Sequence, residues 1–487
     1  MSEKTSAAQA GRTHGEVSRR DALRLIGATV TAAAAGGLTG HTSARAATAP
    51  AKPEAIFDFI AEAAKPYRGT QLTLMAVNTA QSQDIVPYLG EFEKLTGIRV
   101  RTEYGGESET LTKMDLELSS GAGAYDIMHV LSQSFSRYLR GGWLAPLTPY
   151  VENPKLTDKA LWMYDDFYAS TIKQLSSGGT LYAAPFFIAT QIMYYRKDVF
   201  AKNGITKMPD TFDDFWKVCE AIDGKPLKAL ATRGTRGPTM NVWNWTAWLY
   251  AFGGEYFKSY DPKSPDYLRP MLDDPKSIQA ADFYARVMQK FCPEGAVNWG
   301  WQESSRAFKQ GQTAMIQEGS PFGGQFMDPK QSQVADEKLL GCFLIPKGSN
   351  GRHSPSASHG WAIPKDSKKK EAAWLFITWA TAPARQYRST IEQPNPMIPR
   401  DSVWKREDYK KKYGWGNYIE TVNAGLKNAG EWDHYLPEML PEYNDMGNEV
   451  SRLLQEVIGG QKKADVAMKE ANEAVAAVIK RAGYYKS

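Results

Sequence analysis

The sequence predicts an α/β protein built as two lobes, on three observations. Its 487 residues exceed what one ordinary hydrophobic core supports. Its composition is that of a globular chain, 42% hydrophobic and 23% charged, with no long low-complexity tract. From Gln71 onward, short apolar runs alternate with helical stripes in the order β-α-β-α-β, the pattern of a parallel sheet with helices on its faces.

The first segment reads as an export signal. "SRRDALRLIGATVTAAAAGGLTG" carries Arg19 and Arg20 in a charged region, followed by a mildly apolar Ala/Gly/Thr stretch. Ala44-Arg45-Ala46 then forms a small-x-small cleavage site. The paired arginines resemble the bacterial twin-arginine signal, although Ala22 stands where that motif usually has Phe. Residues 1–46 are therefore expected to be a signal peptide directing a folded chain to the periplasm, with 47–69 an N-terminal extension of the mature protein. The stretch is too short and glycine-rich to span a bilayer, an uncleaved anchor being the alternative.

The sheet elements follow in order. "QLTLMAV" is a strand, and "DIVPYLGEFEKLTG" a helix with Ile85, Tyr88, Leu89, Phe92 and Leu95 on one stripe, stopped by Gly97. "IRVRTEY" is the second strand, followed by a helix carrying Leu111, Met114 and Leu118 up to Gly121. "YDIMHV" is the third strand and "SFSRYLRGGW" a short helix. "AAPFF" and "IMYYR" read as two extended pieces joined through Ile188 to Gln191. Pro209 and Thr211 open a helix over "FDDFWKVCEAI". In "NVWNWTAWLYAFGG", Val242, Trp245, Trp248, Leu249 and Phe252 share one apolar face, whereas Trp243 stands off it beside Asn241 and Asn244. Trp299 and Trp301 read as one face of a strand. "TAMIQ" is a strand before a glycine-rich turn, and "SHGWAI" a strand before an amphipathic helix ended by Pro383.

Several function classes find no support. Six Lys/Arg against three Asp/Glu fall in the first 46 residues, so +3 of the formal +5 belongs to the leader and the rest of the chain offers no footprint for nucleic acid. Past the leader, His129, His353, His359 and His434 show no metal spacing. Neither a Gly-x-Ser-x-Gly elbow nor a P-loop occurs, so no cofactor is expected. The cysteines, Cys219, Cys292 and Cys342, leave at least one thiol unpaired. Cys219 lies on an apolar helix face, and a Cys292–Cys342 bridge stays open.

Four blocks, in order, resemble the extracellular solute-binding proteins of bacterial ABC importers, in particular their carbohydrate-binding group. They are "FEKLTGIRV", "YYRKDVFAKNGITKMPDTFDDFW", "FKQGQTAMIQEG" and "GWAIPKDSKKKEAAWLFITWATAP". The resemblance implies a periplasmic binding protein fold: two α/β lobes joined by crossing strands, with the ligand cleft between them. Lobe I would comprise 70–188 and 350–385, and lobe II 189–349 and 386–487 with the C-terminal helices. Crossings would fall near 187–190, near 344–352 and just beyond Pro383. The implied partners are a small solute and the permease subunits of an importer, with the binding protein a monomer.

In parallel sheets ligands bind at the carboxyl ends of strands, and sugars need hydrogen-bonding side chains beside aromatic faces. From lobe I the candidates are Asn78, Gln81, Glu107, Ser132 and Gln133. From the first crossing they are Thr190 and Gln191, and from lobe II Trp243, Asn244, Glu318 and Phe322. His359 and Trp361 lie near the second crossing. Phe322 stands where relatives carry a stacking Trp. The expectation is a binding protein for a sugar or polyol. A secreted glycan-acting enzyme and a polyamine or peptide binder are the alternatives, the last disfavoured because the candidates are mainly amides and hydroxyls.

Overall fold

The computed structural model describes residues 54–224, 226–431 and 440–484. The expected signal, 1–46, and the start of the extension lie outside the described residues. From residue 55 the extension is a packed helix, α1 (Ala55–Ala63), whose Ile56 and Ile60 are buried in the first core.

The predicted β-α-β-α-β order is present. Strands β1 (Gln71–Val77), β2 (Arg99–Gly105) and β3 (Ile127–Leu131) are parallel, with β1 in the middle. Helices α2 (Leu89–Thr96), α3 (Glu107–Ser120) and α4 (Ser132–Gly141) return the chain each time. Gly97, Gly121 and Gly142 end them in the left-handed conformation, which a residue with a Cβ adopts only under strain. Two apolar clusters cover the two faces of this sheet, one around Leu72, Leu74, Phe92 and Trp374, the other around Met75, Met114, Val130 and Tyr138.

"AAPFF" and "IMYYR" are not two pieces but one strand, β4 (Ala183–Arg196), buried along twelve successive residues. No break is needed because its partners change midway. β8 (Ser356–Ala362) pairs with Ala183–Thr190, and β6 (Thr313–Gly319) and β7 (Leu340–Phe343) pair with its second half. With β5 (Lys228–Ala231) the sheet order is β2-β1-β3-β8-β4-β6-β5, and β7 also pairs with β4. β8 reaches lobe I late in the chain and inserts antiparallel between β3 and β4.

Lobe II packs α5 (Phe212–Ile222), α6 (Asn241–Phe252) and α7 (Pro275–Phe291) around Trp245, Trp248 and Tyr284. The C-terminal helices α13 (Tyr443–Ile458) and α14 (Ala464–Arg481) complete that core through Leu453, Leu454 and Ile479. The five apolar positions of α6 read from its period are buried. Trp301 is not on a strand. It opens helix α8 (Trp301–Lys309), because Gly300 takes the N-cap and Glu303 bonds back to its N–H at 2.9 Å. The boundary placed at 385 falls inside α11 (Pro383–Glu392), which follows α10 (Lys370–Ala380). That helix lies on lobe I: the Arg385 guanidinium stacks 4.0 Å over Tyr88, and Arg388 pairs with Glu91 at 2.8 Å. Cys219, Cys292 and Cys342 are all free and buried, so no Cys292–Cys342 bridge forms.

Candidate functional site

The carboxyl ends of β1, β2 and β3 open on the same side of lobe I. Asn78, directly after β1, is exposed and accepts a 2.7 Å hydrogen bond from Gln83. Gln81 is buried in the short capped turn that follows. Ser132 begins α4 beside β8, where its hydroxyl lies 3.4 Å from the Ser358 N–H. Gln133 is buried next to it, 3.3 Å from the Ser132 hydroxyl.

Glu107 begins α3 after β2 and crosses to lobe II. Its carboxylate accepts from the indole N–H of Trp301 at 3.2 Å. Burial raises its pKa, while hydrogen bonds from Thr239 and Trp301 and the nearby Arg233 act against that rise. Trp301 lies 5.8 Å from Phe322, which opens helix α9 (Phe322–Phe326), so two half-exposed rings stand beside an acidic group from the opposite lobe. Trp301 went unselected because its strand reading gave it no place in the cleft; its position as first residue of a helix is the signal that marks it.

Trp243 is 6% exposed and belongs to none of the three apolar clusters, unlike Trp245 and Trp248 on the same helix. Four other candidates are turned into the protein and offer little to a ligand, and one of them, Gln191, also holds the Trp243 backbone. Gln191 is fully buried; its amide donates to the Trp243 carbonyl at 2.5 Å and accepts from Gln317 at 2.7 Å. Asn244 donates to Thr232 and to the Gln317 carbonyl, which turns it into the protein. Glu318 is fully buried under a two-pronged contact from Arg233, with Nε at 2.9 Å from Oε2 and Nη2 on Oε1. Thr190 sits at the crossing, its N–H bonded to Ser320 at 3.1 Å. These were legible as polar residues near strand ends, but not as pairs, because their partners come from distant strands.

Trp361 is a core residue. It is completely buried and stacks on Phe186 with centroids 4.3 Å apart, because period two turns it into the face that α10 covers. Its neighbour two residues earlier differs. His359 is half-buried at the cleft end of β8, opposite Leu131 and Phe187, with its ring 4.4 Å from Phe187. Nδ1 of His359 lies 2.9 Å from Nε2 of His129. Burial depresses both imidazoles, His359 to about 3 and His129 well below its ordinary value. No group of three or more potential metal ligands occurs among the described residues.

The cleft thus presents amides, hydroxyls, one carboxylate, one neutral imidazole and ring faces drawn from both lobes. The same architecture recurs in known proteins. The chain is 26% identical over 390 residues to a mannitol-binding protein of Pseudomonas aeruginosa, covering 77% of this chain and 85% of that protein. It is 26% identical over 479 residues to an erythritol/L-threitol-binding protein of Mycolicibacterium smegmatis, covering 93% and 94%. A solute-binding protein of Agrobacterium vitis S4, solved with bound D-mannitol, superposes with a TM-score of 0.76 at 26% identity, covering 86% of this chain and all of that one. Maltose-bound MalE3 of T. maritima shares the fold at a TM-score of 0.73 and 18% identity, over 84% of this chain and 99% of that one. The family model for bacterial extracellular solute-binding proteins spans residues 76–387, from the end of β1 into α11, and so takes in the candidate residues from Asn78 to Trp361. On that span and this architecture, the chain belongs to the bacterial extracellular solute-binding protein family.

Proposed function

We propose that this chain captures a sugar or sugar alcohol in the periplasm and delivers it to the membrane permease of an ABC importer, without chemical turnover. The observation that carries the reading is the Glu107–Trp301 contact across the cleft. It joins a hydrogen-bonding group of lobe I to an aromatic pair of lobe II, the combination that grips hydroxyls on one side and C–H faces on the other. The relatives named for mannitol and for erythritol or L-threitol, and the D-mannitol-bound neighbour, favour an acyclic polyol over a long oligosaccharide. Asn78, Gln81, Glu107, Ser132, Gln133 and His359 supply polar contacts, and Trp243, Trp301 and Phe322 supply faces. Gln191 positions the Trp243 backbone, and Glu318 positions the start of the turn after β6 through the Gly319 N–H.

A thermal-shift series on the mature protein tests this, using D-mannitol, ribitol, erythritol, maltose, putrescine and a short peptide. A polyol or sugar at about 100 times its Kd stabilises the folded state by about 2.7 kcal/mol. A shift with putrescine or peptide alone overturns the reading. Export is a separate step in it: Arg19 and Arg20 direct the folded chain through the twin-arginine route. Replacing both by Lys is expected to leave precursor in the cytoplasm, as read by fractionation and blotting; unaltered export would count against that route.

A further inference from the structure

The His129–His359 pair lies on neighbouring strands, β3 and β8, with Nε2 of the first 2.9 Å from Nδ1 of the second. One hydrogen serves this contact, and two tautomer patterns can supply it. In one, His129 donates from Nε2 and His359 accepts at Nδ1, so His359 carries its own proton on Nε2. In the other, His359 donates and His129 must carry its proton on Nδ1. Nδ1 of His129 is buried and has no hydrogen-bond partner among the described residues. A buried N–H without an acceptor is rarer and more costly than an acceptor without a donor. Phe186 and Trp361 surround that ring, with centroids at 5.1 and 5.7 Å. Phe186, Phe187, Trp361 and Ser132, the neighbours contributed by β4, β8 and α4, carry no charge that would draw a second proton onto the pair. Nε2 of His359 makes no hydrogen bond among the described residues and is not sealed from solvent.

We infer that His129 is a positioning residue that locks His359 into the Nε2–H tautomer, so that His359 presents a fixed N–H donor to an oxygen of the bound solute. The inference rests on the sugar or polyol reading for the nature of the acceptor, whereas the tautomer itself is a property of the unliganded protein. The relay gives the cleft a one-way contact. Hydroxyl, ether or carbonyl oxygen is accepted at that position, and an ammonium group, which has only donors, is refused.

Long-range proton–nitrogen NMR on the mature protein with 15N-labelled histidine tests it. The expected result is a protonated Nε2 and a bare Nδ1 on both rings, unchanged between pH 5 and pH 8. His129→Gln, whose amide can still donate, keeps His359 in this tautomer. His129→Leu, which cannot donate, releases it into a mixture. A protonated Nδ1 on either ring of the parent protein overturns the relay, as does an unmixed Nε2–H tautomer in His129→Leu. The Gln variant guards against loss of folding in the Leu variant. Added D-mannitol is expected to shift the His359 Nε2 signal. A thermal shift with D-mannitol that leaves this signal unmoved overturns the ligand contact. Absence of any thermal shift across the polyols and sugars is instead the failure of the capture reading, and the tautomer result stands apart from it.

Discussion

Two tryptophans two positions apart on α6 are both buried, but only Trp245 belongs to an apolar cluster, and substitution separates them. Trp245 is completely buried in the lobe II core, so Trp245→Ala is expected to cost about 3–5 kcal/mol of stability by chemical denaturation. Trp243 is nearly as buried but lies outside every apolar cluster, so Trp243→Ala is expected to cost less stability than Trp245→Ala and to weaken solute binding by roughly 1–3 kcal/mol in calorimetry. Equal destabilisation with intact binding would place both rings in the core. The helical period reads the apolar face of α6 from the sequence but not the burial of Trp243, because the helix is buried on every side by partners distant in sequence. The pairing of His359 with His129 was not legible either, since 230 positions lie between them and only the sheet brings them together. That pair also has a pH signature. Both rings are held neutral when folded, so the folded pKa values lie below the unfolded value of about 6.5. The stability they contribute is present above that pH and is lost as pH falls from about 6.5 toward 3, by up to about 1.4 kcal/mol per pH unit for each ring. Urea titrations of the unliganded parent and of His359→Asn at pH 7 and pH 5 are expected to differ in this direction, the variant losing less.

At the scale of elements, the middle of the molecule is stitched by side-chain amides. Gln317 on β6 donates to Gln191 on β4 at 2.7 Å and to the Asn244 carbonyl on α6 at 2.9 Å, and accepts from the Trp248 indole at 2.9 Å. Three elements therefore meet on one buried side chain, and its loss strands several polar groups. Gln317→Leu is expected to destabilise by more than about 2 kcal/mol, since each orphaned buried group costs about 1–3 kcal/mol. It should also weaken binding through Trp243, whose carbonyl is held by Gln191. Chevron or equilibrium denaturation beside calorimetry checks both; a neutral outcome would mean the amides are not coupled. The parallel strands and glycine-stopped helices of lobe I were readable because each depends on local pattern. The unbroken β4 was not, because its continuity comes from partners that change along its length. The same holds for α11, whose attachment to lobe I depends on Arg385 and Arg388 meeting Tyr88 and Glu91, roughly 300 positions earlier.

At the scale of the molecule, two side-chain contacts among the described residues bear on how lobe I meets lobe II. One is Glu107 on Trp301. The other is Arg140 of α4, which meets Glu442 at the start of α13, where the Tyr484 hydroxyl also donates at 2.8 Å. Arg140 is half exposed and Glu442 buried, so water screens the pair in part, and the test of it is whether its loss alters the balance between closed and open lobes. Arg140→Ala is expected to leave the melting temperature nearly unchanged, to weaken solute binding by up to about 1 kcal/mol, about fivefold, and to enlarge the unliganded molecule in small-angle scattering. Unchanged affinity and size would remove the contact from closure. The two-lobed plan was legible through length and ordered motifs. The contact of the C-terminal helices with lobe I was not, because Arg140 and Glu442 lie some 300 positions apart in sequence.

The late arrival of β8 has a consequence for biosynthesis. β3 and β4 are joined only through β8, which lies between them, and about 225 residues separate Leu131 from Ser356. At about 5–20 residues per second, a ribosome needs roughly 10–45 s to supply the missing strand. Throughout that interval the inner edge of β3 has no partner, nor has that of β4 once Ala183–Arg196 is made. Lobe I therefore cannot complete its sheet while its own first half is emerging, and about three quarters of the chain must be made before that sheet closes.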